Sequence, residues 1–232
     1  MHSARPAAAR PTPSPPPHSP VTVPARTALV IAALSVILVV PVAVDWLPLV
    51  SFDRAVSDAL HRSAVAEPGF TRANRVFSDW VWDPWTMRAL VALAAVWLWL
   101  HRERLLAMWV VATSAIGTAA QQGLKAAVGR ERPSWPDPVD SARYAAYPSG
   151  HAMTAAVTCG LLLWLLRRHG VDGQLWGWCV AVAAVSVAGV GFTRVHLGVH
   201  WPTDVLGGWL LGVCLVAAAV ASYEQVALSR GH

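Results

Sequence analysis

The chemistry-bearing side chains of this chain gather in three short stretches: Lys125 to Pro133 (KAAVGRERP), Pro148 to His151 (PSGH) and Thr193 to Asp204 (TRVHLGVHWPTD). Together they hold one Lys, three Arg, three His, one Glu and one Asp. A phosphoryl group presents several anionic oxygens, and it favours fixed cationic donors that stay in place as the transition state forms. Lys125 and Arg132, on either side of a helix end, can supply two of these, and Arg194 adds a planar fork matched to phosphate oxygens. Ser149 stands where a helix is expected to begin, and a first helical turn offers unpaired N–H groups in a partial positive field. Its hydroxyl can cap that turn, while Gly150 lets a ligand approach the backbone. His200 and Asp204 meet if a helix starts after Trp201-Pro202. A carboxylate on one imidazole nitrogen leaves the other as an attacking lone pair. The set reads as a phosphate pocket with a nucleophile inside it.

Each stretch alone has a plainer reading. Lys125 and Arg132 fit a snorkelling Lys and a juxtamembrane Arg, and Ser149 fits an ordinary N-cap. His196, His200 and Asp204 have the i, i+4, i+8 spacing of metal ligands, but Gly198 and Pro202 argue against one continuous helix through all three. No metal site is expected, and His196 is placed at the periphery. Cys159, Cys179 and Cys214 fall in three different apolar segments with no ligand spacing, so they read as packing residues.

The elements that must position these groups are membrane helices. Hydrophobic residues make up 55% of the 232 positions and charged residues 13%, and about 20 apolar residues span the hydrocarbon layer. Six segments qualify, at about 27–49, 82–100, 105–124, 149–166, 174–193 and 203–222. The expected fold is therefore all-α, a six-transmembrane-helix bundle with its site at one membrane surface. One membrane domain runs from 27 to 223, with a short C-terminal tail at 224–232. Residues 1–26 are expected to form a disordered tail, since eight prolines fall in the first 24 positions. The apolar run that follows Arg26 is too long for a signal peptide and ends on Trp46, an interface anchor. Phe52, Val56, Ala59 and Leu60 have helical spacing, which suggests a connecting or interfacial helix able to guide a headgroup. The net charge of +5 is spread over loops rather than gathered in one block, so nucleic acid is not an expected partner.

Six crossings put the loops after the first, third and fifth helices on one side, and all three stretches fall there. The short loops His101–Arg104 and Arg167–Gly170 carry two Arg each, and Arg5, Arg10 and Arg26 lie in the N-terminal tail. The positive-inside rule puts those segments and both termini in the cytoplasm, so the site faces outward. Arg54, Arg62, Arg72 and Arg75 on the outward side weigh against that orientation. Trp46, Trp80, Trp82, Trp85 and Trp201 would form one aromatic belt, and Trp97, Trp99, Trp109, Trp164, Trp176 and Trp178 the other.

The three stretches resemble the signature of the type 2 phosphatidic acid phosphatase superfamily, K-x6-R-P, P-S-G-H and S-R-x5-H-x3-D, over roughly 125–204, with Thr193 where Ser is usual. The resemblance implies a six-helix membrane fold and metal-independent hydrolysis through a phosphohistidine, with no cofactor. It assigns His200 as nucleophile, Asp204 as its orienting partner and His151 as the acid that protonates the leaving oxygen. Lys125, Arg132, Ser149, Gly150 and Arg194 would hold the phosphate. The implied substrate is a lipid phosphomonoester or diphosphate of the phosphatidic acid, phosphatidylglycerol phosphate or polyprenyl diphosphate class, met at the cell membrane among membrane lipids. A catalytically silent scaffold or lipid-binding relative is the alternative, against which the intact His151, His200 and Asp204 speak. The related vanadate-dependent haloperoxidases are soluble, unlike this chain. Neither the headgroup nor the oligomeric state follows from the sequence.

Overall fold

The computed structural model describes residues 25–230, and side chains from 29 to 229. The Pro-rich tail expected at 1–26 lies almost wholly outside the described residues. The chain forms α1 (Ala25–Ala43), α2 (Leu47–Ala66), α3 (Pro68–Val76) with a π-helical turn at Phe77–Val81, α4 (Pro84–Leu100), α5 (Arg104–Val128), α6 (Gly150–Arg168), α7 (Gly173–His196) and α8 (Pro202–Arg230). No strand occurs among the described residues.

Helix starts follow local chemistry. Pro68, Pro84 and Pro202 open α3, α4 and α8, where a missing N–H costs nothing. The Asp83 carboxylate caps α4 by accepting from the Trp85 amide at 2.8 Å. Gly129, left-handed at φ 63°, ends α5 and turns the chain back over the helix end.

On length and composition α6, α7 and α8 can cross a membrane, and the bent pair α1–α2 raises the number to four. α4 and α5 match two further expected segments. The polar Thr113, Ser114, Thr118, Gln121, Gln122 and Lys125 lower the apolar character of α5. The first segment ends earlier than the expected residue 49. α1 stops at Ala43, and the chain bends by 89° into α2, whose Pro48 favours a fresh helix start. α8 runs through Glu224 to Arg230, beyond the expected boundary at 223.

α2 presents a face that its apolar spacing does not suggest. Its buried residues are Asp53, Ser57, His61 and Ala64, while Phe52 is exposed. Asp53 turns inward onto Arg130, and His61 stacks on the Trp135 ring at 4.1 Å. The two aromatic belts also hold only in part. Trp46, Trp80, Trp85, Trp97, Trp99 and Trp178 are exposed, but Trp164 is buried against Tyr223, and Trp109 donates to the Ala219 carbonyl at 2.9 Å.

α6 and α8 pack more extensively than any other pair. Gly208 and Gly212, on one face of α8, make this possible. A Cβ at Gly208 would lie 2.7 Å from the Ser149 carbonyl oxygen, and one at Gly212 would lie 2.7 Å from the Ala156 Cβ. Small residues at this spacing let helix backbones approach closely. The seam brings the start of α6 onto the start of α8, where the Ser149 amide donates to the Asp204 carbonyl at 2.9 Å. At the other end Leu98, Leu106, Val110, Leu161, Trp164 and Val220 close an apolar core among α4, α5, α6 and α8.

Candidate active site

The end of α5, the start of α6, the end of α7 and the start of α8 converge at one end of the bundle. The segment that joins α7 to α8 carries His200, 2% exposed, and its amide donates to the Arg194 carbonyl at 3.2 Å. His200 Nδ1 lies 3.4 Å from Asp204 Oδ2, and its Nε2 lies 3.1 Å from Arg132 Nη1. A guanidinium only donates, so Nε2 is the acceptor and the ring proton sits on Nδ1, toward Asp204. That is the tautomer whose lone pair faces the cationic side of the site. Burial, and then the charges of Arg132, Arg194 and Lys125, push the His200 imidazole well below its ordinary value of 6.5. Asp204 is fully buried, and its Oδ2 also accepts from the Trp201 amide at 2.8 Å, which fixes the first turn of α8.

The cations are held by different means. Lys125 is buried and donates to the Ala145 carbonyl. Arg132 donates to the carbonyls of Tyr144 at 2.9 Å, Arg143 at 3.0 Å and Val199, so it organises the 129–149 loop over the site. Arg194, 4% exposed, gives Nη1 to Ser78 Oγ on the π-helical turn at 2.7 Å, while its buried Nε meets no acceptor among the described residues. A donor held in that way suits an incoming anion. His151 is half-buried in the first turn of α6, and its electrostatic neighbours are Arg194, His200, Arg132 and Lys125. Ser149 caps that turn, with the Ala152 amide 3.5 Å from its hydroxyl. The space beside the Gly150 Cα is filled by Gln121, whose Nε2 would lie 2.6 Å from a Cβ there. Gly150 thus serves packing against the Gln121 side chain of α5, which occupies the space expected from the sequence to admit a ligand. A cleft of about 230 Å³ opens beside Arg132, bordered by Trp135, Asp140, Ser141 and Gly198.

All eight expected site residues therefore gather at one end of the bundle. His196 does not join them. It is buried between Phe70 and Phe192, with Nδ1 3.3 Å from Asn74 Nδ2, so His196, His200 and Asp204 do not converge on one point. Sequence reasoning missed Arg130, Asp53 and Thr203. Arg130 Nη1 donates to Asp204 Oδ1 at 2.6 Å and to Thr203 Oγ1 at 2.8 Å, and its Nη2 to Asp53 Oδ2 at 2.6 Å. Arg130 was visible inside the first stretch, but its second carboxylate is 77 positions upstream. The inward Asp53-Ser57-His61 stripe of α2 was the available signal.

A family model described as the PAP2 superfamily matches residues 105–227. The chain is 38% identical over 66 residues to an undecaprenyl-diphosphatase of Sulfolobus acidocaldarius, covering 28% of each chain. It is 37% identical over 93 residues to phosphatidylglycerophosphatase B of Bacillus subtilis, covering 40% of this chain and 45% of that one. It thus spans less than half the length of these relatives. The crystal structure of a transmembrane PAP2 type phosphatidylglycerolphosphate phosphatase from Bacillus subtilis superposes with a TM-score of 0.73 at 23% identity, over 85% of this chain and 96% of that one, which shows a common fold. With the family model matching more than half of its length and all three signature stretches meeting at one end of the bundle, the chain belongs to the PAP2 superfamily.

Proposed function

We propose that this protein is a multi-pass membrane phosphatase that hydrolyses a lipid phosphomonoester or diphosphate, through a phosphohistidine on His200 and without a metal ion. The observation that carries the reading is the orientation of His200: Nδ1 toward Asp204, and the Nε2 lone pair toward the side where Lys125, Arg132 and Arg194 gather. Nε2 attacks phosphorus, the ester P–O bond breaks, and His151 gives its proton to the departing oxygen. In the second half His151 takes a proton from water, which attacks the phosphohistidine and frees His200. The three cations and the first-turn amides of α6 stabilise the charge on the transferring group. The phosphatase names of both relatives support the lipid phosphate class. On this proposal the cleft beside Arg132 would take part of the headgroup while the tail remains in the bilayer. In this reading α1 and α4–α8 make six crossings, α2 and α3 lie along the surface, and the site faces outward.

Phosphate release by the purified protein, from a panel of lipid phosphates and diphosphates in detergent with excess chelator, tests the proposal. Turnover is expected to persist under chelation and to vanish in His200→Ala. Rapid quench with labelled substrate should trap an acid-labile, base-stable phosphoenzyme. A fully active His200→Ala protein, or activity that returns only with a divalent metal, overturns the mechanism. Inactivity of the native protein toward the whole panel would favour a silent scaffold.

A further inference from the structure

The buried Arg130 between Asp53 and Asp204 has a geometry that the signature residues do not account for. Both ion pairs measure 2.6 Å, and the side chains are 6%, 1% and 0% exposed for Arg130, Asp53 and Asp204. Thr203 closes the cluster: its hydroxyl accepts from Arg130 and donates to Asp53 at 2.5 Å, and its amide donates to the other Asp53 oxygen at 3.0 Å. Arg130 also lies over the Trp201 ring at 5.8 Å. Asp53 comes from α2, outside the segment matched by the family model.

We propose that Asp53 is a positioning residue for the reaction, acting through Arg130 to hold Asp204 in place while leaving it the negative charge that His200 needs. The inference rests on the reading of His200 as nucleophile. Phosphohistidine formation places positive charge on the imidazole, which the carboxylate on Nδ1 must balance. Arg130 alone would anchor Asp204 but cancel its charge, leaving a neutral pair behind His200. Two carboxylates around one guanidinium leave a net charge of −1, as Asp204 would have by itself, while Arg130 holds its Oδ1 and the Trp201 amide its Oδ2. A bare structural clamp would need no second carboxylate, since an amide at 53 could still accept from Arg130.

The two roles predict different double-variant behaviour. Asp53→Asn neutralises the cluster, so kcat should fall by about ten- to a hundredfold, as when a partner one step behind a reactive ligand is lost. KM should stay within about threefold, because Asp53 touches none of the phosphate-holding groups. The Asp53→Asn/Arg130→Gln double variant restores the net charge of −1 and should be at least about fivefold more active than Asp53→Asn alone. Asp53→Glu should likewise exceed Asp53→Asn. A double variant no better than the single, or an Asp53→Asn protein with native kcat, overturns the role. Should Asp53→Asn fail to purify as a monodisperse species, Thr203→Val, which removes only the bridging hydroxyl, decides. A lower kcat at native KM supports the proposal and an unchanged kcat overturns it. An inactive His200→Ala beside a fully active Asp53→Asn refutes only the positioning role, whereas an active His200→Ala refutes the nucleophile and this inference together.

Discussion

A nucleophilic imidazole must offer an unprotonated nitrogen, and the surroundings of His200 favour that form through burial and three nearby cations. Because its folded pKa is lowered, the attacking form persists as pH falls through 6.5 and is lost only well below it. The acid limb of kcat/KM against pH should accordingly lie below 6.5, with its midpoint belonging to the coupled site rather than to one group. A midpoint at or above 6.5 would contradict the environment described for His200. The proposed reaction gives His151 the complementary task, and a bound phosphate would offset the field of the cations around it. His151→Ala should lose most turnover on a lipid ester yet recover it with an aryl phosphate whose leaving group needs no proton. Equal loss on both substrates would assign His151 a different role. The candidates His200, Asp204, Lys125, Arg132 and Arg194 were legible because the proposed reaction calls for their types and the intervals within each stretch are short. Asp53 was not, since a carboxylate among Arg54, Asp58 and Arg62 looks like a solvated helix face until Arg130 is found beside it.

The site depends on how closely α6 and α8 approach, because their seam sets the Ser149–Asp204 backbone bond. A side chain at Gly212 would meet the Ala156 Cβ at 2.7 Å and the Met153 carbonyl oxygen at 3.0 Å, and backbone cannot swing aside as a flexible side chain can. Gly212→Val should therefore destabilise the protein by about 1–3 kcal/mol, the usual cost of overpacking. It should also lower kcat, because the start of α6 moves off the start of α8. Gly177, whose Cβ would meet nothing within 4 Å, supplies the control, and Gly177→Ala should match the native protein in thermal melting and phosphate release. Equal behaviour of the two variants would show that the seam tolerates expansion. Helix positions were readable from apolar length, as α4 to α8 show. The close seam was not, since a Gly pair in an apolar segment signals approach without naming the partner helix. The end of α1 was missed for another reason. The apolar run continues through Leu49 and Val50 into α2, and hydropathy does not register the bend that Asp45, at φ 47°, introduces.

Across the whole molecule the two ends carry different chemistry. The catalytic candidates and the 129–149 loop occupy one end, and short basic loops close the other. There His169 Nε2 meets Glu103 Oε1 at 2.9 Å, and Arg168 meets Glu224 at 3.0 Å, tying the loops after α4 and α6 to α8. Such partly exposed pairs add little stability, but they leave Arg102 and Arg167 at the surface, where cationic side chains resist translocation. The opposite end has a competing set of Arg on α2 and α3, but Arg75 is drawn onto the Val139 carbonyl. The basic short loops should therefore decide the orientation, with Arg102 and Arg167 in the cytoplasm and Arg143 outside. Single cysteines at 102, 143 and 167, on a background lacking Cys159, Cys179 and Cys214, make this measurable with an impermeant thiol reagent on intact cells. All three positions are exposed, so accessibility to the reagent reports the side of the membrane rather than burial. Labelling at 143 with protection at 102 and 167, relieved when the membrane is opened, is the expected pattern. The reverse pattern would put His200 on the cytoplasmic face and require that the lipid phosphate be presented from the inner leaflet.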